Sequence, residues 1–514
     1  MKKKTVTGYI AALTFILAAV ALQLYFNKDH YFAMNRAKCS FTMIVLIGAL
    51  VTALARPIER FRTKQEKQKM TLLDWCVLVF GCSSIITCVL SQAPELTLVG
   101  TKGMFVGAFS YFTGMLVYFV VSRNMIPNNW VVYILALCWG AIFVWTIINQ
   151  SGTDVFGMHE NMKPAVFQRY VSSMGNSNSA SVAFATVIPF VVIMTVFGAA
   201  FLNRQLLLAV SFIGLIASFS LGCDGVMIGL LAMMPFVAIT ALSETRKIGK
   251  ALELLLAVGI SISLYHFLCI CSVFSYSNDT LFYTVSELWA GEILTVISAV
   301  LLYLNSHGNL KVNDRSLLLI RRILVWTCTA VLIGFVAFSI AKSFYDPNYG
   351  NTRGAIWKGN IWTFRLYKPI EMIFGQGSGM FSKNATLAFS MLMGKDADFI
   401  YATSHDILLQ ALMSNGIIGL LCLLTGLYAL IRDWFRDLRP IVLRPMSKYE
   451  SIRNVEFTEM IRVASFVAIM GFFGASLVES TYPHTVMLLF AMLALYRSSY
   501  FVPRKKDKAV TADK

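Results

Sequence analysis

The chain has 514 residues, 57% of them hydrophobic and 14% charged, with mean hydropathy +0.66 and a formal net charge of +17. A soluble protein of this length carries nearer a quarter charged residues, about what its surface needs, so a water-soluble globule is excluded for the bulk of the chain. The positive balance does not indicate a nucleic-acid partner either, because Lys and Arg are gathered in clusters between long apolar runs, as in a protein sorted by a membrane.

The first cluster, Lys2–Lys4, precedes an apolar run over residues 8–24. Ala19, Val20 and Ala21 have the small-x-small form of a signal-peptide cleavage site but lie inside the run, not after it. The run is long enough to span and is read as the first membrane helix. About fourteen spans follow from the same criterion, since a backbone in lipid must satisfy its own hydrogen bonds as helix. Their cores are residues 8–24, 41–55, 72–90, 104–121, 131–149, 181–199, 206–221, 226–241, 252–271, 288–304, 323–341, 417–431, 464–478 and 485–496. The expected fold is thus an all-α polytopic membrane bundle, a single membrane domain over 1–514, partnered by the lipid bilayer.

Further basic clusters at 56–69, 246–250, 311–322, 432–453 and 497–508 fall in alternate connections. The positive-inside rule then places both termini in the cytoplasm. The ten cysteines sit mostly within apolar runs, with no CxxC or Cys/His spacing, so neither a disulfide framework nor a metal site is expected. No fixed-period repeat is visible, and the only biased tract is the short basic tail from Arg504.

Two extracytoplasmic segments are long: residues 150–180, and residues 342–404, the latter roughly sixty residues and well past a structureless connector. The second is rich in aromatic and apolar side chains, including Trp357, Trp362, Phe364, Tyr367, Phe389, Met391 and Met393. From Thr352 it reads as an amphipathic helix ending at Pro369 or at the turn Gly375–Gly379. Gly375, Gly377 and Gly379 do not form a dinucleotide fingerprint, because no strand precedes them.

Candidate functional residues cluster in these segments. His405, Leu409, Leu412 and Gly416 recur at spacings of four, three and four, which predicts one helix face. An imidazole there suits proton transfer from a hydroxyl, or simply caps a loop. Arg169 and Arg353 offer the bidentate fork that suits phosphate oxygens, or serve as snorkelling anchors. Lys102, Lys358, Arg365 and Lys368 are weaker versions of the same idea. Asp224 and Glu479 lie near outer helix ends, where they can assist a site. Asp74 and Glu292 fall within spans; an intramembrane carboxylate points by default to transport.

The stretch Thr352–Arg353–Gly354, Trp357, Pro369 and Phe374–Gly375–Gln376–Gly377–Ser378–Gly379–Met380–Phe381 resembles the shared domain of O-antigen polymerases and ligases. The spacing of His405, Leu409, Leu412, Gly416 and Gly419 fits that family's histidine element, and Arg169 before Gly175–Asn176–Ser177–Asn178 fits its upstream element. The resemblance covers about residues 169–430. It implies a metal-independent, cofactor-free glycosyltransferase in a bacterial cytoplasmic membrane. Its substrate would be a polyprenyl-diphosphate-linked oligosaccharide, with other glycan-assembly membrane proteins as partners. By the same resemblance, Arg169 and Arg353 would bind the diphosphate and His405 would be the base or orient the acceptor. Polymerisation of repeat units is the expected reaction; ligation to a lipid or protein, and transport of a lipid-linked glycan, are the alternatives. A degenerate relative that scaffolds glycan assembly is a third. The sequence departs from the family at Asp406, where Asn is usual, at Ser414, where Glu is usual, and at Cys223–Asp224, where Ser-Arg is usual.

Overall fold

The computed structural model describes residues 5–27, 30–63, 69–160, 162–197, 203–274, 280–310, 312–380, 403–443 and 450–499. Lys2–Lys4, the basic tail, and Phe389, Met391 and Met393 lie outside the described residues. The chain is a membrane helix bundle. Among the described residues, ten helices are long and apolar enough to cross a bilayer.

In chain order the helices are α1 (Val6–Leu24), α2 (Met34–Thr63), α3 (Leu72–Leu90), α4 (Pro94–Val99), α5 (Ala108–Asn124), α6 (Asn129–Gln150), α7 (Ser177–Phe197), α8 (Arg204–Ser220) and α9 (Asp224–Ala241). There follow α10 (Ile248–Ile270), α11 (Leu281–Glu287), α12 (Ala290–Ser306), α13 (Asp314–Tyr345), α14 (Tyr349–Arg365), α15 (Pro369–Phe374), α16 (Ile407–Val442), α17 (Glu450–Ser476) and α18 (Pro483–Ser498). Each of the fourteen apolar runs, so far as its residues are described, has its core on one of these helices, of which α5, α8, α12 and α18 are 16 or 17 residues long.

Two helices form the axis of the bundle. The spanning window of α7 is 100% buried and that of α17 is 94% buried, so both are surrounded by protein, not lipid. They pack on each other and on α9. Close approach is possible because the crossing is made of small residues: a Cβ on Gly471 would sit 1.9 Å from the Ala185 carbonyl oxygen. Small residues at such seams let backbones touch where no hydrophobic drive between helices exists. By contrast, the window of α13 is only 6% buried, which leaves this helix on the periphery against α9 and α14.

At one end of the bundle, a buried Asp74 in α3 accepts bonds from Arg123 of α5 at 2.9 Å, Arg497 of α18 at 3.1 Å and Tyr118 at 2.7 Å. A carboxylate taken out of water needs this many donors. The pairing makes Asp74 a structural tie between three helices. Glu292 is likewise paired, with His266 Nδ1 at 2.8 Å.

The opposite end carries the two long segments. Residues 164–176 form a 3-10 turn (Pro164–Arg169) and a two-residue hairpin pairing Tyr170 with Asn176 and Val171 with Gly175. The buried His159 supports them through the carbonyls of Phe167 and Tyr170, 3.1 Å each. The first half of the second segment is helical as expected, but α14 begins at Tyr349, not Thr352, and a separate α15 starts at Pro369. Proline fits the first turn of a helix, where no internal partner for its missing N–H is needed.

The expected single helix face from His405 to Gly416 is corrected by the structure. Gly416 is non-helical, at φ 66 and ψ −162, and breaks α16. The break lets the chain cross the Gly375 turn at backbone contact: Gln376 N donates to Met413 O at 3.2 Å and Gly377 N to Ser414 O at 3.0 Å. A Cβ on either Gly375 or Gly416 would stand 2.3 Å from a carbonyl oxygen of the other segment.

Candidate functional site

The crossing of Gly375 and Gly416 fixes where the neighbouring chain goes. Immediately before α16, Ser404 N donates to Gln410 Oε1 at 3.0 Å, and its carbonyl accepts from Trp357 Nε1 of α14 at 3.1 Å. Asp406 caps the helix, accepting from Leu409 N at 2.7 Å. Between these anchors His405 is held at φ 49, a left-handed conformation that costs a non-glycine residue energy and is found preferentially at functional sites. Asn caps as well as Asp, so the departure at Asp406 preserves this anchor.

The imidazole of His405 shares a hydrogen bond between Nδ1 and Ser480 Oγ at 3.2 Å, and Ser480 bonds in turn to Thr403. One residue earlier, Glu479 Oε1 accepts from Arg353 at 2.9 Å and from Cys223 Sγ at 3.2 Å. Cys223 also lies 3.8 Å from Asn178 Oδ1, which brings the start of α7 to the cluster. Three separated parts of the chain thus meet on the dipeptide Glu479–Ser480, in the short link between α17 and α18, and a fourth reaches it through Cys223.

The electrostatics follow from this packing. Burial, with the Arg353 guanidinium nearby, pushes the His405 imidazole down to about 3, so it is neutral at physiological pH. Burial raises Glu479 above the ordinary carboxylate range; Arg353 opposes that shift and Asp224 adds to it. Burial also raises Asp406, to about 7. The Glu479 side chain is 1% exposed and that of Arg353 21% exposed. The cation therefore lies over the anion, toward the open side. Glu479 Oε2 is buried and has no hydrogen-bond partner among the described residues.

The remaining sequence candidates fall into two groups. Asp224 opens α9 beside Cys223, at the edge of the cluster. Arg169 is exposed at the end of its 3-10 turn, next to the hairpin that leads to Asn178; no contact joins it to Arg353 or His405. Lys102 and Arg365 are exposed, and the Lys358 ammonium lies 5.6 Å from the Trp362 ring centroid. Trp357 and Tyr367 are buried anchors, leaving Trp362, 44% exposed, as the aromatic of that set open to a ligand. Among the described residues no cluster of His, Cys, Asp or Glu could hold a metal. Ser480 and Thr403 were not picked out by the sequence, because an isolated hydroxyl residue carries no spacing signal.

A narrow, partly open apolar cavity of about 80 Å3 adjoins the cluster. It runs from Leu73 and Leu493, past Phe80, Cys422 and Phe490, to Tyr111, Gln410 and Thr481. Its polar groups are confined to the end beside His405 and Ser480. No protein-family model and no curated protein matches the chain.

Proposed function

We propose that the protein transfers an oligosaccharide from a polyprenyl-diphosphate donor to an acceptor hydroxyl, polymerising repeat units of a surface polysaccharide. In this reading the chain spans a bacterial cytoplasmic membrane about fourteen times, both termini are cytoplasmic, and the Glu479–Ser480 end faces outward. The observation that carries it is the meeting of Arg353 and His405 on one dipeptide. A guanidinium suited to phosphate and an imidazole suited to proton transfer, far apart in sequence, meet at one end of a membrane bundle. The adjoining apolar cavity supports it further, because an isoprenoid chain has the chemistry of that lining.

The chemistry would run as follows. Arg353 neutralises the diphosphate as the glycosidic bond breaks, where charge grows on the leaving oxygen. Arg169, exposed on its turn, is an auxiliary diphosphate contact. In the tautomer that donates Nδ1–H to Ser480, the Nε2 lone pair of His405 is left to take the proton of the attacking hydroxyl. A base held at about 3 is a weak one. Arrival of the diphosphate offsets the positive charge of Arg353, the smaller of the two causes, and so raises the basicity of the imidazole in part, while burial continues to hold it down.

The decisive experiment is analysis of glycans on the polyprenyl carrier in cells lacking the protein. A polymerase predicts accumulation of single lipid-linked repeats. Accumulation of long lipid-linked chains would overturn polymerisation in favour of ligation to a lipid or protein. An unchanged carrier pool would overturn both.

A further inference from the structure

The cluster contains a cation suited to a diphosphate, but that cation is already paired. Glu479 Oε1 holds Arg353 at 2.9 Å, and Asp224 stands where the family resemblance leads one to expect a third arginine. A diphosphate reaching Arg353 meets the Glu479 carboxylate within one guanidinium's width, with Asp224 adding negative charge behind it. Whether the guanidinium swings away or is shared, Glu479 then loses the interaction that keeps it ionised. A buried carboxylate without its counter-charge is costly and takes up a proton instead.

We propose, building on the functional reading above, that Glu479 is a proton-linked counter-ion. It restrains Arg353 in the resting site, and accepts one proton at Oε2 when an anionic diphosphate headgroup engages the guanidinium. The proton comes from solvent and no covalent bond changes. Oε2 is the suitable atom because it is buried and unpartnered among the described residues, whereas Oε1 already accepts from two groups.

The groups facing Glu479 from each packed element are few. Arg353 approaches from α14, Cys223 and Asp224 from the start of α9, and Tyr482 from the link to α18. The hydroxyl of Tyr482 and the thiol of Cys223 are both pushed upward by burial and by Glu479, so neither supplies a negative charge at neutral pH. His405 reaches the cluster through Arg353 and is neutral before binding. Glu479 is thus the group whose charge can change most readily to accommodate an arriving anion.

The test is calorimetric titration of the full-length protein in detergent with farnesyl diphosphate, between about pH 6 and pH 8, in buffers of different ionisation enthalpy. Comparison with Glu479→Gln cancels ionisation of the ligand and of His405. The wild type is expected to take up as much as one more proton than Glu479→Gln, its affinity gaining up to about tenfold per unit fall in pH relative to that variant. Equal proton uptake by the two proteins would overturn the counter-ion. Arg353→Gln/Glu479→Gln leaves no unpaired buried charge and tests the ligand's place. If the double variant binds as well as Glu479→Gln, the ligand is not on Arg353 and the diphosphate reading fails as well. Arg353-dependent binding without excess proton uptake would overturn the counter-ion alone, and absence of binding in all three proteins overturns both.

Discussion

Arg353 and His405 rest on consecutive residues: the guanidinium donates to Glu479 at 2.9 Å, and the imidazole bonds to Ser480 at 3.2 Å. Each is held by a different segment, yet one short link between α17 and α18 sets their separation. A change in that link moves both groups together.

If His405 takes the acceptor proton, His405→Gln should retain folding and lose about 10²–10⁴-fold in glycan transfer. The ratio of polymer to single lipid-linked repeats in membranes reports this directly. Normal polymer at normal protein level would remove His405 from the chemistry.

The Arg353–Glu479 pair makes a distinct prediction about stability. Arg353→Gln leaves a buried carboxylate unpaired, at the lower end of the about 3–5 kcal/mol typical of such a change, because the arginine is partly exposed. Adding Glu479→Gln should recover most of the lost thermal stability in detergent without recovering activity. A double variant as unstable as the single one would show that the pair is not the cause.

Asp406 gives a pH dependence with a defined sign. Its carboxyl is raised to about 7, well above its ordinary value, so the folded state pays a penalty for ionising it at higher pH. Stability linked to this group is greatest in acid and falls as pH rises toward and through about 7. Asp406→Asn keeps the helix cap and removes the charge. Its melting temperature should exceed wild type by more at pH 8 than at pH 5, and a constant difference would contradict the assignment.

Gly416→Ala tests the chain crossing. At φ 66 and ψ −162 the backbone is in a region that essentially only glycine occupies, and the new Cβ would meet the Ile373 carbonyl oxygen at 2.3 Å. A loss of about 1–3 kcal/mol from backbone strain alone is expected, with the clash added. Thermal unfolding in detergent measures it. Ala at the neighbouring helical position Ile417, where the backbone permits it, should cost less.

The helices were legible because apolar length is the dominant constraint in a bilayer, and the runs at 72–90 and 131–149 needed no tertiary information. The break at Gly416 was hidden because the spacing from His405 through Leu412 continues a helical pattern straight across it. Arg353 and His405 stood out as isolated polar groups in segments otherwise rich in apolar side chains. Glu479 was noticed only as a possible helper at a helix end. Its role as the partner of Arg353 depends on α14 folding back over the α17–α18 link, a long-range arrangement that local periodicity does not encode.

The crossing of Gly375 and Gly416 also has a consequence for variation in chain length. Because backbone bonds from Gln376 and Gly377 clasp Met413 and Ser414, the chain between them is a closed ring pinned at its neck. A change in the number of residues joining the two sides is a change of ring size, not of the register of the clasp. Arg353 lies outside that ring and His405 inside it, where Ser404 ties it to Trp357 and Gln410.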